Sequence, residues 1–147
     1  MYTSNFGLIE LREGIGKYLY ERYGLNYDPA TQIMITTGVS QGLDLAMRAI
    51  LDPGDEVLIP EPTYVSYVPC VSLAGGIPVT IPTNMEDSFR IKPADIESRI
   101  TDRTKAILLG YPNNPTGAVM PRDTLEQIAD FAFRYDLTVV SDVISAS

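Results

Sequence analysis

The chain has 147 residues, long enough for one compact domain with a sizeable core and too short for two ordinary ones. Its formal net charge of −8 at pH 7 disfavours nucleic acid and anionic membranes as partners, because both attract basic patches. With no His and a single Cys, Cys70, the chain has no His-dependent triad, no His-ligated or all-Cys metal site and no internal disulfide. No apolar run approaches the roughly 20 residues of a membrane span and no signal segment opens the chain, so we expect a cytoplasmic protein.

Apolar, β-branched runs alternate with helical patterns along the chain. In order, the predicted elements are a helix from Leu8 to Gly24, a strand at 33–36, a helix from about Ser40 to Asp52, a strand at 56–60, a helix at 64–73, strands at 77–81 and 106–110 with a short helix at 93–99 between them, a helix opening at Pro121 and a last strand at 138–141. Such alternation predicts βαβ units and an α/β fold with a mostly parallel sheet. Pro78 and Pro82 favour a sheet edge for the strand at 77–81.

Ligands of parallel sheets bind beyond the carboxyl ends of the strands, so the residues that follow each strand are the candidate site. The sequence YPNNPTG at 111–117 follows the most apolar strand, although a rigid turn accounts for its composition equally well. Val39, Ser40 and Gln41 open a helix directly after a predicted strand. The backbone N–H groups and the dipole of a helix N-terminus favour an anion there, while an ordinary Ser N-cap explains the same residues.

This ordered set of motifs resembles the class I aminotransferases, which are fold type I pyridoxal-phosphate (PLP) enzymes, in the branch of aspartate, alanine and aromatic aminotransferases. The matching segments are Tyr2-Thr3, Gly7-Leu8, Leu11-Arg12, 37–43, 53–57, Pro62-Thr63-Tyr64, 104–107, Asn114-Pro115-Thr116-Gly117 and Ser141-Asp142. The resemblance implies that residues 1–147 form part of the three-layer α/β/α large domain that binds PLP. Residues 1–28 would be an N-terminal helix segment and 29–147 the βαβ units, with the small C-terminal domain absent.

The resemblance also implies roles for three residues at the strand ends. Asp142 would pair with the pyridine nitrogen, because a neighbouring carboxylate favours the protonated ring. Asn114 would donate a hydrogen bond to the phenolic oxygen of the cofactor, and Tyr64 would stack on the ring face. Each has a simpler alternative: an aspartate at a strand end, a turn-forming asparagine and a packing tyrosine.

The cofactor phosphate would bind at Val39, Ser40 and Gln41, where the resemblance and the helix N-terminus coincide. Tyr2 would reach across a homodimer to the phosphate of the partner subunit. Since Tyr2 is next to the initiating Met, disorder is the alternative for this residue.

The lysine that forms the Schiff base with PLP is not identifiable in this sequence. Lys17, Lys92 and Lys105 all precede Asp142, and none is in the Ser-x-x-Lys or Ser-x-Ser-Lys setting of the family. We therefore expect the catalytic lysine to lie beyond the chain end. The chain would then be a truncated piece, inactive alone, of an enzyme of amino acid metabolism that transfers an amino group between an amino acid and a 2-oxo acid. The identity of the amino acid is not determined by this segment.

Two further interpretations are weighed against a truncated enzyme. A non-catalytic interaction module would retain the fold and pair with a full-length homologue through the dimer surface. An unrelated nucleotide-binding protein is disfavoured, because no Gly-x-Gly-x-x-Gly or Gly-x-x-x-x-Gly-Lys-Ser/Thr sequence is present.

Overall fold

A computed structural model describes residues 4–143 of the chain, which divides into two compact units, Met1–Gly42 and Leu43–Ser147. The elements in chain order are α1 (Ile9–Tyr23), α2 (Val39–Ile50), β1 (Glu56–Glu61), α3 (Tyr67–Leu73), β2 (Ile77–Pro82), α4 (Pro93–Glu97), β3 (Thr104–Gly110), α5 (Arg122–Arg134) and β4 (Thr138–Asp142). Across residues 4–143, none of the helices has the length and apolar character that crossing a bilayer requires.

The four strands of the second unit form one parallel sheet in the order β2-β1-β3-β4. This arrangement confirms the predicted α/β class and the edge position of β2. Strand β4 forms the opposite edge, so β1 and β3 occupy the centre. Both central strands are buried along almost their whole length, as expected for parallel strands that are covered on two faces.

Alternate side chains of the central strands pack into two separate hydrophobic cores. Val57 and Ile59 of β1 face one core and Leu58 faces the other, because successive strand side chains point to opposite faces. The first core contains α2 and α3 side chains, among them Leu43, Met47, Tyr67 and Val71. The second core contains α4 and α5 side chains, among them Ile96, Ile128 and Phe131. The second unit is therefore a three-layer α/β/α arrangement, as the family resemblance implied.

In the first unit, α1 buries the face that carries Arg12 and Gly16, and Ile15 and Leu19 are partly buried. Leu8 and Leu11 are 57% and 50% exposed, whereas Arg12 and Gly16 are buried. The Arg12 guanidinium donates hydrogen bonds to the carbonyl oxygens of Pro29, at 2.7 Å, and Ala30. A hydrogen-bonded cation thus selects the inner face of this helix.

The strand predicted at 33–36 is wrong. The segment joins no ladder; the Ile35 N–H donates to the Phe6 carbonyl at 3.0 Å, and the Thr36 carbonyl accepts from the Gly38 N–H at 3.0 Å. β-branched residues favour extended backbone, but a strand also requires a neighbour with free N–H and C=O groups. No described residue supplies that neighbour here.

The helix predicted at 64–73 begins later than expected. The Tyr67 N–H bonds the Tyr64 carbonyl in a turn, and the first helical bond runs from the Cys70 N–H to the Ser66 carbonyl. Tyr64 therefore lies in the loop between β1 and α3, and Tyr67 is the first residue of the helix. Tyr64 follows the carboxyl end of β1, as predicted, but lies in a loop and not in a helix.

A buried carboxylate joins β1 to β3 at the amino end of the sheet. Glu56 is 5% exposed and accepts hydrogen bonds from the hydroxyl of Thr101 at 2.6 Å, the guanidinium of Arg103 at 2.7 Å and the hydroxyl of Thr104 at 3.4 Å. The Thr101 bond and then the Arg103 interactions hold the pKa of Glu56 below its ordinary value of 4.5, although burial acts in the opposite direction. The ionised carboxylate is the form that stabilises the fold.

We expect Glu56→Gln to lower the free energy of unfolding at pH 7 by about 1–3 kcal/mol, because it leaves buried donors around a neutral amide. Arg103→Met, the control, removes a cation that is 67% exposed and should cost about 0–1 kcal/mol. Since the folded pKa is depressed, the Glu56 contribution is complete above pH 4.5 and declines as the pH falls below that value. Urea unfolding at several pH values measures both effects, and equal stability of the Gln variant and the parent chain would contradict this role.

The sheet edges lead to a second expectation. Strand β4 is an edge with Val139 43% exposed, and the segment 33–36 has no ladder partner. Open edges template pairing between chains, so we expect self-association that Val139→Lys reduces. Light scattering measures the association.

Hydrogen exchange tests the same edges in the backbone. We expect rapid exchange at Ile33, Met34 and Thr36 and slow exchange in β1 and β3. A monomer with slow exchange throughout 33–36 and 138–141 would be inconsistent with this description.

Candidate functional site

Three of the predicted site residues follow neighbouring strands of the sheet. Tyr64 lies in the loop after β1, Asn114 lies in the loop after β3, and Asp142 is the last residue of β4. Because β1, β3 and β4 are adjacent and parallel, these residues share the carboxyl edge of the sheet. The sheet topology is therefore the one that the predicted site at this edge requires.

A tyrosine that the sequence analysis did not select anchors Asp142. The Tyr67 hydroxyl donates a hydrogen bond to Asp142 Oδ2 at 2.8 Å, and the tyrosine is only 2% exposed. The rings of Tyr64 and Tyr67 meet edge to face, with centroids 5.8 Å apart. Tyr67 thus connects the predicted stacking residue to the predicted carboxylate. The sequence signal for this pair is the Tyr-x-x-Tyr spacing, because residues three apart are joined by the turn in which the Tyr67 N–H bonds the Tyr64 carbonyl.

Gly110 makes room for this hydrogen bond. It is the last residue of β3 and pairs with Asp142 in the sheet register. A Cβ atom at Gly110 would lie 3.1 Å from Tyr67 Cζ and would clash with the hydroxyl oxygen. The tyrosine hydroxyl therefore reaches Asp142 only because residue 110 has no side chain.

The surroundings keep Tyr67 in its neutral, donating form. Burial is the largest cause, and the hydrogen bond and negative charge of Asp142 add to it, so the pKa of Tyr67 lies well above its ordinary 10.0. Burial also raises the pKa of Tyr111, which follows β3, to about 12. One oxygen of Asp142 is held by a permanent donor. No donor to its other oxygen, Oδ1, is described among residues 4–143.

The loop after β3 is organised by Asn113 and presents Asn114. Asn113 is 8% exposed, and its side-chain amide donates to the Pro62 carbonyl at 2.9 Å. Asn114 is exposed beside it. The two adjacent asparagines therefore differ in role, since one is used within the protein and the other faces solvent.

In the first unit, the start of α2 has the character of an anion site. Val39, Ser40 and Gln41 are exposed and form its first turn, and the dipole of a helix N-terminus favours an anion. The Gln41 side chain accepts a hydrogen bond from the Thr37 N–H, so it supports the turn that precedes the helix. The segment before α2 is not a strand, but the helix N-terminus itself is as predicted. Tyr2 lies outside the described residues.

The family profile of aminotransferase class I and II matches residues 1–145. The chain belongs to this aminotransferase family. Enzymes of the family depend on PLP, and the groups at the carboxyl edge of the sheet suit that cofactor: a carboxylate, an amide and an aromatic ring.

Individual aminotransferases resemble the chain over nearly its full length. It is 45% identical to aromatic-amino-acid aminotransferase 2 of Thermococcus litoralis over 97% of the chain, and 44% identical to the aspartate aminotransferase of Pyrococcus abyssi over 97%. It superposes with a TM-score of 0.93, at 46% identity and over 98% of its length, on the aromatic aminotransferase of Pyrococcus horikoshii OT3. Its structural neighbours are fold type I aminotransferases, which confirms the predicted fold. The chain spans 37% of the length of each of the first two relatives and 38% of the third.

The Tyr67–Asp142 bond in this aminotransferase chain leads to a prediction. Asp142→Asn removes a negative charge beside the phenol and should lower the pKa of Tyr67. The pKa should stay above 10.0, because burial is the larger cause of the shift. The 13C shift of Tyr67 Cζ, followed by NMR during a pH titration, measures this value. Asp130→Asn on the exposed surface of α5 is the control. A Tyr67 pKa that does not respond, or that falls to 10.0, would refute the assigned causes.

Proposed function

We propose that this chain forms part of the PLP-binding domain of an enzyme that transfers an amino group between an amino acid and a 2-oxo acid. The observation that carries the proposal is the Asp142 carboxylate, which Tyr67 holds at the carboxyl end of β4. When bound, PLP supplies an electron-withdrawing pyridine ring that stabilises negative charge on the substrate Cα.

Each candidate residue has a distinct part in holding the cofactor. Asp142 accepts a hydrogen bond from the pyridine nitrogen and favours its protonated, positively charged form. Tyr64 packs against the ring face, and Asn114 donates to the phenolic oxygen. Tyr67 keeps the Asp142 carboxylate oriented and, being neutral, does not compete for the proton.

The phosphate binds the start of α2, through the backbone N–H groups of Val39, Ser40 and Gln41 and the helix dipole. Tyr2 contributes to the phosphate site of a partner subunit, since we propose a homodimer for the whole protein. Its substrates belong to the range of aspartate, alanine and aromatic aminotransferases, as the names of its relatives suggest. We propose a cytoplasmic location for it.

The 147-residue chain by itself is proposed to lack turnover. Lys17 on α1 pairs with Glu21, and Lys92 pairs with Asp87 at 2.7 Å. Lys105 is exposed near the amino end of β3, opposite the edge that carries Asp142. None of the three is in the Ser-x-x-Lys or Ser-x-Ser-Lys setting of the family's Schiff-base lysine. Without that lysine the chain would lack covalent catalysis, which contributes orders of magnitude to the rate.

We expect weak PLP binding, with a Kd toward the millimolar range and a binding free energy of about 4 kcal/mol, since only part of the site is present. Asp142→Ala should weaken it further, and Ser40→Pro should do the same by removing a backbone donor. Asp130→Ala, which changes the charge equally on an exposed helix, should not. An absorbance titration measures binding, and borohydride trapping separates adventitious lysine adducts. Tight binding that Asp142→Ala leaves unchanged would place the cofactor elsewhere.

Turnover is tested with PLP, 2-oxoglutarate and a panel of amino acids. We expect no rate above that of free PLP. A rate that exceeds this background and disappears in Asp142→Ala would show that the chain supplies its own catalytic amine.

A further inference from the structure

Asn113 is a buried polar side chain that joins two loops of the candidate site. Its amide nitrogen donates to the Pro62 carbonyl at 2.9 Å, in the loop between β1 and α3. Its Oδ1 accepts from the Thr116 hydroxyl at 2.8 Å and from the Thr116 N–H at 3.3 Å, in the loop after β3. One planar amide therefore bonds both loops at once.

The backbone of Asn113 is fixed as firmly as its side chain. Its N–H donates to the Ala118 carbonyl at 2.8 Å, and its carbonyl accepts from the Gly117 N–H at 2.7 Å. Residues 113–118 thus close on Asn113 as a hydrogen-bonded turn. A displacement of Asn113 would move this turn as a unit, together with Asn114.

The two loops joined by Asn113 carry the two proposed ring contacts. Pro62 precedes Tyr64 by two residues, and Asn113 directly precedes Asn114. We propose that Asn113 is a positioning residue that sets Asn114 relative to Tyr64, an inference that rests on the proposed function of these two residues as cofactor contacts. Tyr67 and Asp142 form a separate link, because neither hydrogen-bonds to Asn113 within the described chain.

Asparagine suits this position because it is the shortest side chain with a donor and an acceptor on one planar group. Aspartate has the same shape and retains the acceptor for Thr116. It has no donor for Pro62, and it places a negative oxygen beside that carbonyl. Asn113→Asp therefore breaks the connection between the loops while leaving an acceptor for the local turn.

Thr83→Val provides a matched control. The Thr83 hydroxyl donates to the Glu61 carbonyl at 2.6 Å, one residue before Pro62, and the Thr83 N–H bonds the same carbonyl. This isosteric change also removes one hydrogen bond from a side chain to the β1–α3 connection. It does so from the β2 side, and no described hydrogen bond joins Thr83 to the loop of Asn114.

The first measurement uses the ligand-free chain and NMR. We expect Asn113→Asp to shift the resonances of both the Asn114 side-chain amide and the Tyr64 ring, whereas Thr83→Val leaves Asn114 unmoved. Thr116→Val removes the hydroxyl bond within the turn but keeps the bond to Pro62, so it should shift Asn114 and not Tyr64. This variant keeps the test decisive if Asn113→Asp fails to fold.

The second measurement uses pyridoxamine 5′-phosphate, which has no aldehyde and forms no adducts with lysine. We expect Asn113→Asp to weaken its binding about three- to tenfold, as loss of one hydrogen bond predicts, and to reduce the induced circular dichroism of the bound ring. In a Tyr64→Ala background the same change should weaken binding less, because the partner that it positions is gone. Thr83→Val should alter neither the spectrum nor this coupling.

Two results would overturn the inference: Tyr64 resonances that do not respond to Asn113→Asp, or an effect on binding that is unchanged by Tyr64→Ala. Failure of the parent chain to bind pyridoxamine phosphate is a different outcome. It would refute the proposed cofactor site, and with it a cofactor role for Asn113, while the ligand-free spectra would still report whether Asn113 links the two loops.

Discussion

Burial of β1 and β3 on both faces is the constraint on which the second unit depends. Their apolar side chains pack into two cores, one on each face of the sheet, and helices cover both faces. Parallel strands covered in this way are joined by helical crossovers, and every crossover returns the chain to the same end of the sheet. The carboxyl ends of β1, β3 and β4 consequently lie together. Contacts between the loops that follow them are not needed to bring them there.

The two ends of the sheet use carboxylates in different ways. At the amino end, Glu56 accepts hydrogen bonds from two hydroxyls and a guanidinium and is engaged on both oxygens. At the carboxyl end, Asp142 accepts one described hydrogen bond, from Tyr67, and leaves Oδ1 without a described partner. A saturated buried carboxylate stabilises the fold, whereas an oriented carboxylate with spare capacity suits a cationic ligand group. The two carboxylates thus differ in their hydrogen-bond partners, and the structural role of Glu56 contrasts with the binding role proposed for Asp142.

The carboxyl edge is held by links between side chains and neighbouring loops. Tyr67 reaches over Gly110 to Asp142, and Asn113 reaches Pro62. Both links are buried or partly buried, where hydrogen bonds are stronger and an unpaired group costs more. The residues proposed to touch the cofactor, Tyr64 and Asn114, are each adjacent to such a link and remain more accessible than the residue that anchors them.

The sequence by itself determined the order of strands and helices in the second unit, the edge position of β2 and the family. Periodicity, prolines and the motif around Asn114 are local signals, and they need no knowledge of distant neighbours. Only the tertiary structure decided that 33–36 is not a strand, that α1 buries Arg12 while Leu11 is exposed, that Tyr67 bonds Asp142 and that Asn113 bonds Pro62. Each of these depends on residues remote in sequence. The segment 33–36 has no described neighbour to pair with, Arg12 bonds the carbonyls of Pro29 and Ala30, Tyr67 bonds the carboxylate of Asp142, and Asn113 bonds the carbonyl of Pro62. Local propensity fixes which secondary structure a segment favours. Burial and hydrogen bonding between distant segments determine whether that structure forms and which side chains hold it.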